Sequence, residues 1–213
     1  NAIHAELIND LRAGWNSGWV DRGTKTSAFT EIAASNNPDM PAALLELAFF
    51  DRAEDAAALK QPEFQRIAAR AVYQGIVKFY NSYYPSTFPS AALLPEPPVN
   101  PRAIHAGAPG QVTLTWSEPP WNTGNNLLLG DRATSYKVYR STNGKGFDNG
   151  TATAQASLTV AGLTPGQTYY FRVTALNAGG ESFPTETLAA RVPPADAPSG
   201  RLLIVNGFDR LDS

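Results

Sequence analysis

Ile3, Leu7, Leu11 and Trp15 recur every four residues, and this spacing predicts a helix from the start of the chain to about Gly14. Phe29 to Ala33 reads as a short strand. Ala42 to Phe50 reads as a better one, because six of the seven residues in "PAALLEL" are apolar. Asp51 with Glu54 three residues on has the form of a capping box at the start of a short helix. A longer helix opens at Pro62, a residue tolerated at the first helical position. It carries Phe64, Ile67, Ala68, Ala71, Val72, Ile76 and Phe79 on one stripe. Alternation of helix and strand over residues 1–80 implies part of a layered α/β domain.

Residues 81–98, "NSYYPSTFPSAALLPEPP", carry five prolines and no periodicity, so they read as a stiff, extended linker that stops the preceding helix. Over 99–193 the period drops to two. Val112, Leu114 and Trp116 form one alternating set, Tyr136, Val138 and Arg140 a second, and Tyr169, Phe171, Val173 and Ala175 a third. Asn143-Gly144, Pro165-Gly166 and Gly179-Gly180 fall between them as turns. Short strands with regular turns over about a hundred residues indicate a β-sandwich. Residues 194–213 read as a linker followed by the opening of a third domain, with Leu202 to Val205 as its first strand. A helix with no cap ahead of it and a last strand with no partner are the pattern expected of a piece of a longer protein.

Composition narrows the function classes. A net charge of -2 gives no electrostatic footprint for nucleic acid or an anionic membrane. No apolar run reaches the roughly 18–20 residues that span a bilayer. With no cysteine in the chain, disulfides and thiolate metal sites are excluded.

Glu46 is the residue out of pattern, a carboxylate with Leu45 and Leu47 on either side. Burying it unpaired is costly, so it must be paired, exposed at a strand end, or bound to something. One reading makes it a strand-terminal carboxylate that meets an arginine or a helix N-terminus. The other makes it a general acid/base at the C-terminal end of a sheet strand, its proton affinity raised by apolar neighbours.

Two resemblances bear on this. "VTLTW", "SYKVYR" and "LTPGQTYYFRVTALNAGGES" together resemble a fibronectin type III module, with Leu163-Thr164-Pro165-Gly166 and Tyr169 matching its tyrosine corner. Residues 1–80 resemble the C-terminal part of zinc-dependent N-acetylmuramoyl-L-alanine amidases. The match rests on Pro41, Leu44, Glu46, Phe49, Glu54 and Leu59, and on "RGTKTSAF" from Arg22 to Phe29. Departures are Ala48 for the family's glycine, Asp51-Arg52 for its Ser/Thr-Asn, and Ile32-Ala33-Ala34 where an arginine is usual.

The expected fold is therefore multidomain: an incomplete α/β layered domain of the zinc amidase/exopeptidase kind, plus an all-β fibronectin type III sandwich. The amidase resemblance implies that Glu46 is the catalytic glutamate beside a zinc ion. It also implies a substrate in peptidoglycan, the amide between N-acetylmuramic acid and L-alanine, and an extracellular or cell-envelope location.

The zinc ligands are not legible in this chain. His4 reads as a surface or packing histidine and His105 as structural or exposed, and neither belongs to a ligand cluster. The resemblance places the ligands ahead of Asn1. Two further readings stand beside the amidase: a non-catalytic binding or spacer protein, and a zinc exopeptidase of the same fold. Trp121 and the Tyr83-Tyr84 pair are the aromatics that a polysaccharide would use, against packing or linker stiffening. Asn149-Gly150-Thr151 fits the N-glycosylation pattern but lies in a turn where such triplets arise by chance.

Overall fold

The computed structural model describes residues 2–27, 29–87, 90–106, 108–123 and 128–192. The strand expected at Leu202 to Val205 lies outside them. The chain divides after Ser90 into two units.

The first unit is helical. α1 spans Ala2–Gly14, α2 Ala53–Leu59 and α3 Pro62–Tyr83, with a short 3-10 turn at Thr30–Ile32. α1 packs antiparallel on α3, since Ile3 lies against Gly75 at one end and Gly14 against Ile67 at the other. Leu7, Leu11, Ala58, Phe64, Ile67, Ala68 and Ala71 form the core. Trp15 and Trp19 close its end with ring centroids 5.7 and 5.1 Å from that of Phe64.

Four local expectations are corrected. The stripe on α3 turns at its C-terminal half: Ile76 is exposed, and Gln74 and Gly75 are buried in its place. The reason is α1, whose backbone fits only against a residue without a side chain. The capping box at Asp51 does not form, because Arg52 holds the N-cap position without a side-chain cap. The Asp55 carboxylate instead accepts the Phe49 N–H at 3.0 Å. Phe29 to Ala33 curls into the 3-10 turn, where the Asn36 and Asn37 side-chain amides donate to the carbonyls of Thr30, Glu31 and Ala33. Residues 42–50 form no ladder, and among the described residues the first unit has no other strand to pair with. Without neighbouring N–H and C=O groups an apolar run has nothing to hold it as a sheet strand.

The second unit is a two-sheet sandwich. One sheet has the order β1-β2-β5, from Val99–His105, Val112–Ser117 and Ser157–Val160. The other has the order β4-β3-β6-β7, from Thr151–Thr153, Ser135–Ser141, Thr168–Asn177 and Gly180–Glu181, with β8 (Leu188–Arg191) also on β6. All pairings are antiparallel. The alternating sets point inward as expected. Leu114, Phe171, Val173 and Ala175 are fully buried, and Trp116 meets Tyr136 edge to face at 5.3 Å. Arg140, at the outer end of its set, stays half-exposed and pairs with Asp148.

Between β7 and β8 the ladder on β6 is completed by side chains. Pro184 breaks the run there, and the Ser182 and Thr185 hydroxyls accept the N–H groups of Ala175 and Val173 at 2.9 and 3.1 Å.

The proline-rich stretch is organised at both ends. α3 runs to Tyr83, where Phe79 stacks on Tyr83 at 4.8 Å. Within the second unit, residues 91–98 lie as a strap on the sandwich, with Leu93, Pro95 and Pro98 buried. The Leu93 N–H donates to Asp131 at 2.8 Å, the Asn177 amide donates to the Leu93 carbonyl at 2.7 Å, and the Gly130 N–H donates to Glu96 at 3.0 Å.

Candidate functional site

Glu46 lies in the segment between the 3-10 turn and α2. Leu47 is its anchor, half-buried against the helical core, while Glu46 itself is exposed. Three residues on, Phe49 is held twice. Its N–H is bound by Asp55, and the Arg22 guanidinium lies 4.8 Å from its ring centroid. That contact joins the "RGTK" segment to the Glu46 segment, two stretches that the sequence offered separately.

Of the choices open to an out-of-pattern carboxylate, the fold takes exposure. Among the described residues Glu46 has no hydrogen bond or ion pair. Its neighbours Leu44, Leu45 and Phe50 are also exposed, so the apolar surroundings expected to desolvate it are not assembled around it here. A carboxylate so placed can accept or donate a proton at its oxygens.

The described residues do not fit a zinc centre. They contain no group of three His, Cys, Asp or Glu side chains able to hold a metal ion. The His4 imidazole is engaged with Asp21 at 2.8 Å, and His105 ends β1 on the sandwich surface. Asp21 is held below the usual carboxylate range by the Gly23 N–H first and by His4 second.

The aromatic candidates for a glycan contact make contacts within the protein, although Tyr83 and Tyr84 stay exposed. Arg132 covers Trp121 at 4.7 Å from the ring centroid and is itself forked onto Glu118 at 2.8 and 3.3 Å. Tyr83 and Tyr84 belong to the stacked cluster that ends α3.

The hydrophobic pattern alone does not disclose a polar seam in the helical unit. Glu6 and Asp10, one turn apart on α1, are buried against α3, where Gln74 is buried too and Lys78 pairs with Glu6. Burial, and then the charge of Glu6, push the Asp10 carboxyl up to about 6. The signal was present as two acids spaced by four beside an apolar stripe.

Strand order, the Thr164–Tyr169 corner and the two-sheet layering define the second unit as a sandwich of the fibronectin type III kind. Family comparison agrees: residues 96–191 match the fibronectin type III domain, and residues 1–78 match N-acetylmuramoyl-L-alanine amidase. The chain thus joins a stretch with the sequence of that amidase family to a fibronectin type III domain.

Among curated relatives, N-acetylmuramoyl-L-alanine amidase LytC of Bacillus subtilis is 45% identical over 76 residues, 36% of this chain and 14% of that protein. Tyrosine-protein phosphatase Lar-like of Caenorhabditis elegans is 33% identical over 111 residues, 51% of this chain and 5% of that protein. The chain therefore spans a small part of either relative. Among solved structures, the sixth fibronectin type III domain of human fibronectin type III domain containing protein 3 has a TM-score of 0.39 at 24% identity. It covers 50% of this chain and 93% of its own. The twitchin kinase region of C. elegans has a TM-score of 0.41 at 28% identity, over 51% of this chain and 18% of its own.

Proposed function

We propose that this chain is part of a cell-wall hydrolase that cleaves the amide between N-acetylmuramic acid and L-alanine in peptidoglycan, outside the cell or in its envelope. The observation that carries the reading is the amidase match over residues 1–78, with Glu46 inside it. In this reading Glu46 takes a proton from the attacking water as the carbonyl carbon becomes tetrahedral. It then returns the proton to the departing amine nitrogen. The zinc ion that such amidases use would have to be held by residues other than those described, since these offer no ligand set.

The residues of this chain supply position. Leu47, packed on the helical core, and Phe49, fixed by Arg22 and Asp55, anchor the segment just after Glu46. Glu46 acquires apolar surroundings only when further structure covers Leu44, Leu45 and Phe50.

The test is hydrolysis of purified peptidoglycan by the full-length protein, with released stem peptide quantified. Glu46→Gln is expected to lower the rate by roughly 10²–10⁴-fold with an unchanged melting temperature. Retention of the full rate in the variant would overturn the role of Glu46. Release of single amino acids in place of stem peptide would point to an exopeptidase.

A second reading has its own observation. The sandwich presents Trp121 already covered and its N-terminal strap already clamped, as a spacer module would. A full-length protein that folds, binds peptidoglycan no better than a control protein and hydrolyses none would favour a spacer.

A further inference from the structure

We propose that the contact between α1 and α3 is an acid-tightened joint, in which the Asp10 carboxyl packs against α3 as the neutral acid and its ionisation loosens α1. Asp10 is only 3% exposed, on the face of α1 that meets α3, one turn from Glu6, which is buried too. The cation beside them, Lys78, is already committed to Glu6. Among the described residues Asp10 has no ion pair of its own, and two buried carboxylates beside one ion-paired lysine cannot both ionise without cost, so Asp10 is the one that keeps its proton.

The charges that act on Asp10 are Glu6 from its own helix and Lys78 and Arg70 from α3. α2, which packs on α3, places none of its charges against it. Desolvation and Glu6 raise its proton affinity, while Lys78 and Arg70 offset part of the rise.

The sign follows from linkage. With α1 packed, Asp10 titrates at about 6; in water it titrates at 3.8. Between those values the packed state holds a proton that the released state has lost. Packing therefore weakens as pH rises through that window, by about tenfold in the opening constant per pH unit. Below the window both states are protonated, and above it both are ionised, so the contribution is flat on either side.

Amide hydrogen exchange of the whole chain between pH 4 and 7, corrected for intrinsic exchange, reads the opening of α1 directly. In the wild-type protein the opening constant is expected to rise about tenfold per unit up to pH 6 and then level off. Asp10→Asn should remove that slope, and Glu6→Gln should move the plateau to lower pH. An identical pH course in wild type and Asp10→Asn, or no slope in the wild type, would overturn the joint. Should Asp10→Asn fail to fold, carbon-13 titration of the wild-type Asp10 carboxyl decides the matter. A midpoint near 6 supports the joint, and one near the ordinary 3.8 sinks it.

Discussion

A Cβ atom built on Gly75 would stand 2.6 Å from the Cα of Ile3. The glycine in the middle of α3 is therefore the seat of α1, and the close approach of the two backbones sets where the rest of the seam falls. Glu6 and Asp10 reach α3 because Ile3 is seated on Gly75.

Gly75→Ala tests this directly. A methyl group gains up to about 1 kcal/mol of helix propensity in an isolated helix. Here it meets backbone, which cannot rotate away, so overpacking of about 1–3 kcal/mol wins. The expected result is a lower denaturant midpoint for the helical unit, with the sandwich unchanged. A rise in the midpoint would mean that α1 is not seated there.

In the sandwich, the Tyr169 hydroxyl accepts the Thr164 N–H at 3.0 Å across the turn that contains Pro165 and Gly166. The Thr164 hydroxyl first, and then this N–H, hold the phenol below its ordinary proton affinity. Tyr169→Phe keeps the buried ring and removes the acceptor. It should cost about 1 kcal/mol in a urea melt of the sandwich, the scale of one net hydrogen bond. No change would show that water replaces the phenol at no cost.

The strap over 91–98 makes a prediction that the family match alone does not, since that match begins only at residue 96. Leu93→Ala removes the buried anchor and should cost about 2–5 kcal/mol if the strap is integral to the sandwich. Gly130→Ala pushes on the strap from outside it, because its Cβ would lie 1.8 Å from the Leu94 carbonyl oxygen. Both variants should open 91–95 to limited proteolysis ahead of the strands. Cleavage at equal rates in wild type and variants would show that the strap is not clamped.

The helical unit should also respond to acid through Asp21. Its carboxylate is stabilised by the Gly23 N–H and by His4 of α1, so its contribution is present above the ordinary carboxylate range. It is lost as pH falls through the lowered value. This is opposite in sign to Asp10. An Asp21→Asn variant should therefore lose less stability than the wild type on acidification below pH 4, measured by thermal melting.

Much of this protein was legible along the chain, for a physical reason. A period of two with turn residues at fixed intervals is a local property, and each sandwich strand buries the face that its own alternation marks. Tyr169 and Pro165-Gly166 announced their corner because its partners lie within a few residues. The start of α3 at Pro62 and the end of α1 at Gly14 are local in the same way. The amidase likeness of residues 1–78 was readable because it rests on residue identities in order.

Contacts between distant residues had to wait for the tertiary structure. Whether "PAALLEL" becomes a strand depends on a neighbouring ladder, and the described helical unit provides none, so Glu46 stands exposed. The α3 stripe shifts from Ile76 to Gln74 and Gly75 because α1 arrives there, which nothing within α3 encodes. Five prolines marked 81–98 as extended, but only Asp131 and Asn177 decide that its second half is clamped to the sandwich. Asp10 is an ordinary helix residue by pattern. Its proton affinity comes from burial beside Glu6 and against α3, which exists only once the two helices have met.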